Sequence, residues 1–73
     1  MYTKAKALYP NLMAELARAG LTVLDLAAKT EIPYTTIMGK LRGRSDFTIK
    51  EAKVIKSVLS VEMSIDELFE RAA

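Results

Sequence analysis

Residues 21–43 read LTVLDLAAKTEIPYTTIMGKLRG, and two short helical patterns lie end to end in this stretch. In the first, about Val23 to Thr30, the side chains of Val23, Leu26 and Ala27 fall on one side at helical spacing. Thr22 and Asp25 have the spacing of a capping box, with Asp where Glu or Gln is usual. Glu31-Ile32-Pro33 then breaks the pattern, because proline is tolerated only at the entrance to a new helix. The second helix runs from about Tyr34 to Leu41 and ends near Gly43. Helical phase divides it. Ile37 and Leu41 point the same way, with Tyr34 near them, towards a core, and the opposite side is centred on Gly39 and includes Thr35, Thr36 and Arg42.

Turn and cap signals cut the rest of the chain in the same manner. Pro10 suits a first helical position, so a helix is expected from about Pro10 to Ala19, burying Leu12, Leu16 and Ala19 and stopping at Gly20 in a left-handed cap. Residues 1–9 form an N-terminal extension, helix-favouring but too short to stand alone, and residues 10–73 a single domain. Thr48 and Glu51 make a further capping box, with Phe47 placed to staple back against Ala52, for a helix over Ile49 to Leu59 that buries Ala52, Ile55 and Leu59. Ser64 and Glu67 repeat the signal for a last helix through about Arg71, with Ile65, Leu68, Phe69 and Ala72 on one face. The reading is all-α: a compact bundle of about five short helices.

With 73 residues, about half of them apolar, the chain has enough apolar surface for one core but is near the lower size limit for folding unaided, so self-association would help it. It contains no Cys and no His, which removes thiol nucleophiles, disulfides, imidazole bases and the usual zinc sites. Carboxylates or lysines would need a cleft that so small a domain hardly offers. No enzyme activity, metal, cofactor or small-molecule ligand is expected. No apolar run approaches the ~20 residues of a membrane span, and no signal-peptide pattern is present. The expected location is the cytoplasm of a bacterial or phage-infected cell, at the nucleoid.

The net charge is only +2, but it is unevenly spread. Residues 1–44 carry seven basic groups against three acidic ones, and residues 45–73 carry four against six. Basic charge therefore gathers on the half that holds the paired helices, as phosphate contact requires. Within that half, Lys40, Arg42 and Arg44 are candidate phosphate clamps, or else solvated surface charges. Thr35 and Thr36 offer hydroxyls and methyls of the kind that meet base edges. Tyr34 either anchors the turn or presents its hydroxyl to a base or phosphate. Met38, on the flank, reads as packing. Gly39 either permits close backbone approach to a groove floor or is simply tolerated, at about 1 kcal/mol against Ala. Thr22 is a cap first and a phosphate contact second, since helix N-termini are natural anion sites. Two helices joined in this way, the first bracing the second, have the shape of a helix-turn-helix whose second helix enters the DNA major groove.

At this point the chain resembles the phage-repressor/Cro-like helix-turn-helix family, the xenobiotic-response-element type, over about residues 10–70. The resemblance rests on Ala27 inside the bracing helix, Ile32 in the turn, Ile37 anchoring the second helix and Gly43 after it. It extends to the Thr48 cap, to Leu59-Ser60-Val61 and to the closing SIDELFE. It implies a lambda-repressor-like five-helix bundle that binds double-stranded DNA sequence-specifically as a homodimer on a two-fold site, and hence a transcriptional regulator of phage or prophage repressor type. Carried over, the base-reading positions are Tyr34, Thr35 and the Gly39 slot, and the backbone-contact positions include Thr36, Arg42 and the vicinity of Arg44. The chain departs from the family pattern with Glu31 at a turn position usually held by glycine, Val23 where a polar residue often opens the bracing helix, and no side chain at Gly39. Val54, Val58 and Phe69 are either dimer-interface or core residues. The alternative is a protein-interaction module, such as an antirepressor-like partner, on the same bundle.

Overall fold

Each helix begins at a boundary residue that is legible in the sequence. In the computed structural model, which describes residues 7–72, Pro10 opens α1 (Pro10–Ala19), and Gly20 closes it in the left-handed region at φ 73°. Thr22 caps α2 (Val23–Thr30) through a complete capping box, Asp25 N–H donating to Thr22 Oγ1 at 3.1 Å and Thr22 N–H to Asp25 Oδ2 at 2.9 Å. After Pro33 comes α3 (Tyr34–Leu41), which has no side-chain cap. Thr48 and Glu51 make the second complete box, at the start of α4 (Ile49–Leu59). The hydroxyl of Ser64 accepts from Glu67 N–H to start α5 (Ile65–Leu68).

The five helices form a compact all-α globule with no strand among the described residues. Its radius of gyration is 11.6 Å, against about 11 Å for a compact chain of this length. Every helix contributes at least one fully buried aliphatic side chain: Leu12 and Leu16 from α1, Leu26 from α2, Ile37 from α3, Ile55 from α4 and Leu68 from α5. α4 packs on α1, α2 and α5, whereas α3 packs chiefly on α2. No helix among the described residues is long and apolar enough to cross a membrane.

Several packing details differ from expectation or, as with the rings around Phe47, add to it. Ala19 is exposed, because the Gly20 turn ends α1 before that side meets a neighbour. Tyr34 is 43% exposed rather than turned to the core, since at the first position of α3 no preceding turn covers it. Phe47 joins Tyr9 and Phe69 in a three-ring cluster, with centroids 5.4 Å from Tyr9 and 5.0 Å from Phe69. α5 stops at Leu68, short of Arg71, because the chain leaves the helix to pair elsewhere. Ala72 N–H donates to the Leu8 carbonyl at 2.8 Å, and Arg71 reaches Asp46 at 2.8 Å and the Tyr9 hydroxyl at 3.2 Å. Leu8 packs against the core and Tyr9 is buried in it, so the end of the N-terminal extension is part of the packed body. Residues 1–6 of that extension, and Ala73, lie outside the described residues.

Candidate nucleic-acid interface

The connection between α2 and α3 sets how the second helix is presented. Glu31 takes the left-handed conformation, φ 64° and ψ 18°, and its N–H donates to the Ala27 carbonyl at 2.9 Å. That geometry costs a non-glycine residue on the order of 1 kcal/mol. Thr30 braces the turn from within: its hydroxyl donates to the Leu26 carbonyl at 2.8 Å and accepts from Ile32 N–H at 3.3 Å. Ile32 is half-buried against the core. The turn is therefore tied at each residue before Pro33 starts α3.

On α3, Ile37 is fully buried and Leu41 and Met38 are half-buried, and Met38 lines a small hollow together with Leu8, Met13 and Val23. The opposite side remains outward. Thr35 is exposed and Thr36 half-buried, and Arg42 and Arg44 after the helix are exposed. The end of α3 is a glycine stop of the Schellman kind, in which Gly43 N–H bonds to the Lys40 carbonyl at 3.0 Å and Arg44 N–H to the Gly39 carbonyl at 2.9 Å. Gly43 has φ 87°, and a Cβ there would come within 3.2 Å of Leu8 Cδ2. The positive φ favours glycine at that position, and any Cβ there would also press on the tip of the Leu8 side chain.

The expected site residues do not all share one condition. Thr35, Thr36, Gly39, Arg42 and Arg44 lie on or beside one outward stripe, with Tyr34 at its N-terminal edge. Thr22 is exposed, but the Asp25 carboxylate already takes its N–H, so the start of α2 carries a negative group where a phosphate was expected. The Thr22 bonds hold the Asp25 carboxyl below the usual carboxylate range. Lys40 is the clear departure. Its Nζ lies 2.6 Å from Glu51 Oε1 and only 12% of its side chain is exposed, so it is engaged within the protein rather than held out as a clamp. Burial would raise the Glu51 carboxyl, but the hydrogen bonds from Lys40 and Thr48 outweigh this and hold it below its ordinary value. Glu51 Oε1 also accepts from Thr48 N–H at 2.9 Å, so one carboxylate joins the end of α3 to the cap of α4.

Three of the nine basic side chains among the described residues are ion-paired; Arg42 and Arg44 are not, and neither are Lys29, Lys50, Lys53 and Lys56. Arg18 pairs with Glu15, Lys40 with Glu51 and Arg71 with Asp46, whereas neither Arg42 nor Arg44 enters an ion pair among the described residues. α3 also lacks the carboxylate-bearing cap of α2 and α4, so its first N–H groups have no side-chain acceptor, an arrangement suited to anions.

Two features of the surface were not anticipated. Leu24 is 64% exposed and Ile49 65% exposed. Both lie in the first turn of their helices on the flank of the buried side, roughly 90–110° from its centre at 100° per residue, so helical phase alone does not mark them as exposed. Leu24, Ala28, Pro33 and Tyr34 border a shallow hollow of about 430 Å³ at the α2–α3 corner. Of the three candidate interface residues, Val54 is exposed, while Val58 and Phe69 pack against the core. No family model matches the chain, and no curated protein or solved structure does either.

Proposed function

We propose that the chain is a sequence-specific double-stranded DNA-binding protein, a transcriptional regulator of phage or prophage repressor type. In this reading α2 and α3 act as a helix-turn-helix, with α2 the brace and α3 the element that enters the major groove. The observation that carries it is the outward stripe of α3, which neither α4 nor α5 covers and whose basic residues Arg42 and Arg44 have no acidic partner among the described residues. Two unpaired arginines beside exposed hydroxyls, next to an uncapped helix start, suit a polyanion whose base edges are accessible. Thr35 and Tyr34 are the base-facing residues, and Arg42 and Thr36 hold the backbone. A homodimer on a two-fold site supplies the affinity that one small domain lacks, with exposed Val54 available to its interface.

A second reading, a protein-interaction module on the same bundle, is favoured by the apolar corner formed by Leu24, Pro33 and Tyr34. Selection from a pool of random duplexes separates the two. The DNA reading predicts enrichment of a short two-fold consensus. A pool that is neither retained nor enriched at low salt would overturn it and leave the protein-interaction reading.

A further inference from the structure

One side chain runs beside the Gly39 position. The bond from Arg44 N–H to the Gly39 carbonyl, 2.9 Å long, turns the chain back along α3 as it leaves the helix. The Arg44 side chain follows. A Cβ placed on Gly39 would lie 3.9 Å from Arg44 Cδ, an ordinary van der Waals contact and, among the described residues, the one neighbouring heavy atom within 4 Å outside the helix backbone and the adjoining residues. The aliphatic stem of Arg44 therefore passes beside position 39, within ordinary contact of where a Cβ would stand and one turn along α3 from Thr35. Any longer side chain at position 39 would compete with it for that space. Arg44 is exposed and has no ion pair or side-chain hydrogen bond among the described residues. Its guanidinium is thus carried by the outward stripe of α3 and has no internal partner.

From this juxtaposition we infer that Arg44 is a specificity-determining residue: it supplies from the following loop the base-reading group that position 39 lacks, and it selects guanine. The guanidinium is a planar fork that matches the O6 and N7 acceptors of guanine in the major groove. A stem that runs beside position 39 brings the fork to the outward side of α3, where base edges would lie. Gly39 and Arg44 then act together, the arginine supplying the side chain at a position where the glycine has none. The inference rests on the DNA-binding reading and assigns Arg44 a base where charge and position alone suggested a phosphate.

The test compares wild type with Arg44→Ala by selection from random duplexes and by the salt dependence of binding to the selected site. Circular dichroism shows that both proteins are folded. The wild-type consensus should contain a fixed guanine, and Arg44→Ala should lose discrimination at that position alone, on the order of tenfold. The slope of log K against log salt should stay near the wild-type value. If Arg44→Ala keeps every base preference and its slope falls by about 0.9, as loss of one phosphate contact requires, the inference is overturned and the DNA reading stands. If wild type retains no duplex at all, both fall together.

Discussion

The outward stripe of α3 and the seam at the two ends of the chain treat their polar and basic groups in opposite ways. At the seam, Arg71 lies 5.5 Å from the centre of the Tyr9 ring, donates to its hydroxyl and pairs with Asp46, while Tyr9, Phe47 and Phe69 pack edge to face and tilted against one another. Every group there has a partner inside the protein, and the result is cohesion between the N-terminal segment, the α3–α4 loop and the end of the chain. Along α3, the hydroxyl of Thr35 and the guanidinia of Arg42 and Arg44 have no such partners among the described residues. Lys40 marks the boundary between the two regimes, since its charge faces Glu51 and belongs to the body. Residue type alone therefore does not tell a binding charge from a structural one. An acidic partner within reach marks Lys40 and Arg71 as structural, whereas the lack of one, shared by Arg42 and Arg44 with Lys29, Lys50, Lys53 and Lys56 among the described residues, counts only together with position on the outward stripe.

That contrast can be broken most severely at the seam. Tyr9→Ala removes a ring that is 4% exposed and should cost about 3 kcal/mol or more of stability, read as a lower urea midpoint. Glu51→Gln cuts both the ion pair to Lys40 and the charged half of the α4 cap, and should cost about 1 kcal/mol. Its pH dependence has a definite sign. The folded Glu51 carboxyl titrates below its ordinary value of 4.5. Its contribution is fully present above that value and is lost as pH falls through the folded one, so Glu51→Gln should flatten the acid limb of the stability curve. Glu31→Gly relieves the left-handed strain and should raise stability by up to about 1 kcal/mol, read from the same urea curves. The smallest effect on stability is expected on the stripe itself. Arg42→Ala should leave the unfolding midpoint within about 0.5 kcal/mol of wild type.

The helix boundaries were legible because capping is local: Thr22 with Asp25, Thr48 with Glu51 and Gly20 each act within a turn, so spacing along the chain was enough. The outward stripe was legible for the same reason, through helical phase around Gly39. The condition of its charges was not. Lys40 and Glu51 are eleven residues apart and meet only because the loop after α3 brings α4 back beside its end. Tyr9 read as a residue that merely precedes a proline, and its burial depends on rings from positions 47 and 69. The early end of α5 depends on Leu8, at the other end of the chain. Arg44 beside Gly39 lies between these cases. The glycine stop at Gly43 was visible, but the direction in which it sends the next side chain was not.

The central claim is that the exposed stripe of α3 meets the phosphates and bases of duplex DNA. Its most direct test is a titration of duplex binding against salt concentration for wild type and Arg42→Ala. The wild-type log K should fall linearly and steeply with log salt, and the slope for Arg42→Ala should be shallower by about 0.9. Binding that ignores salt, or equal slopes for the two proteins, would contradict the assignment of this face.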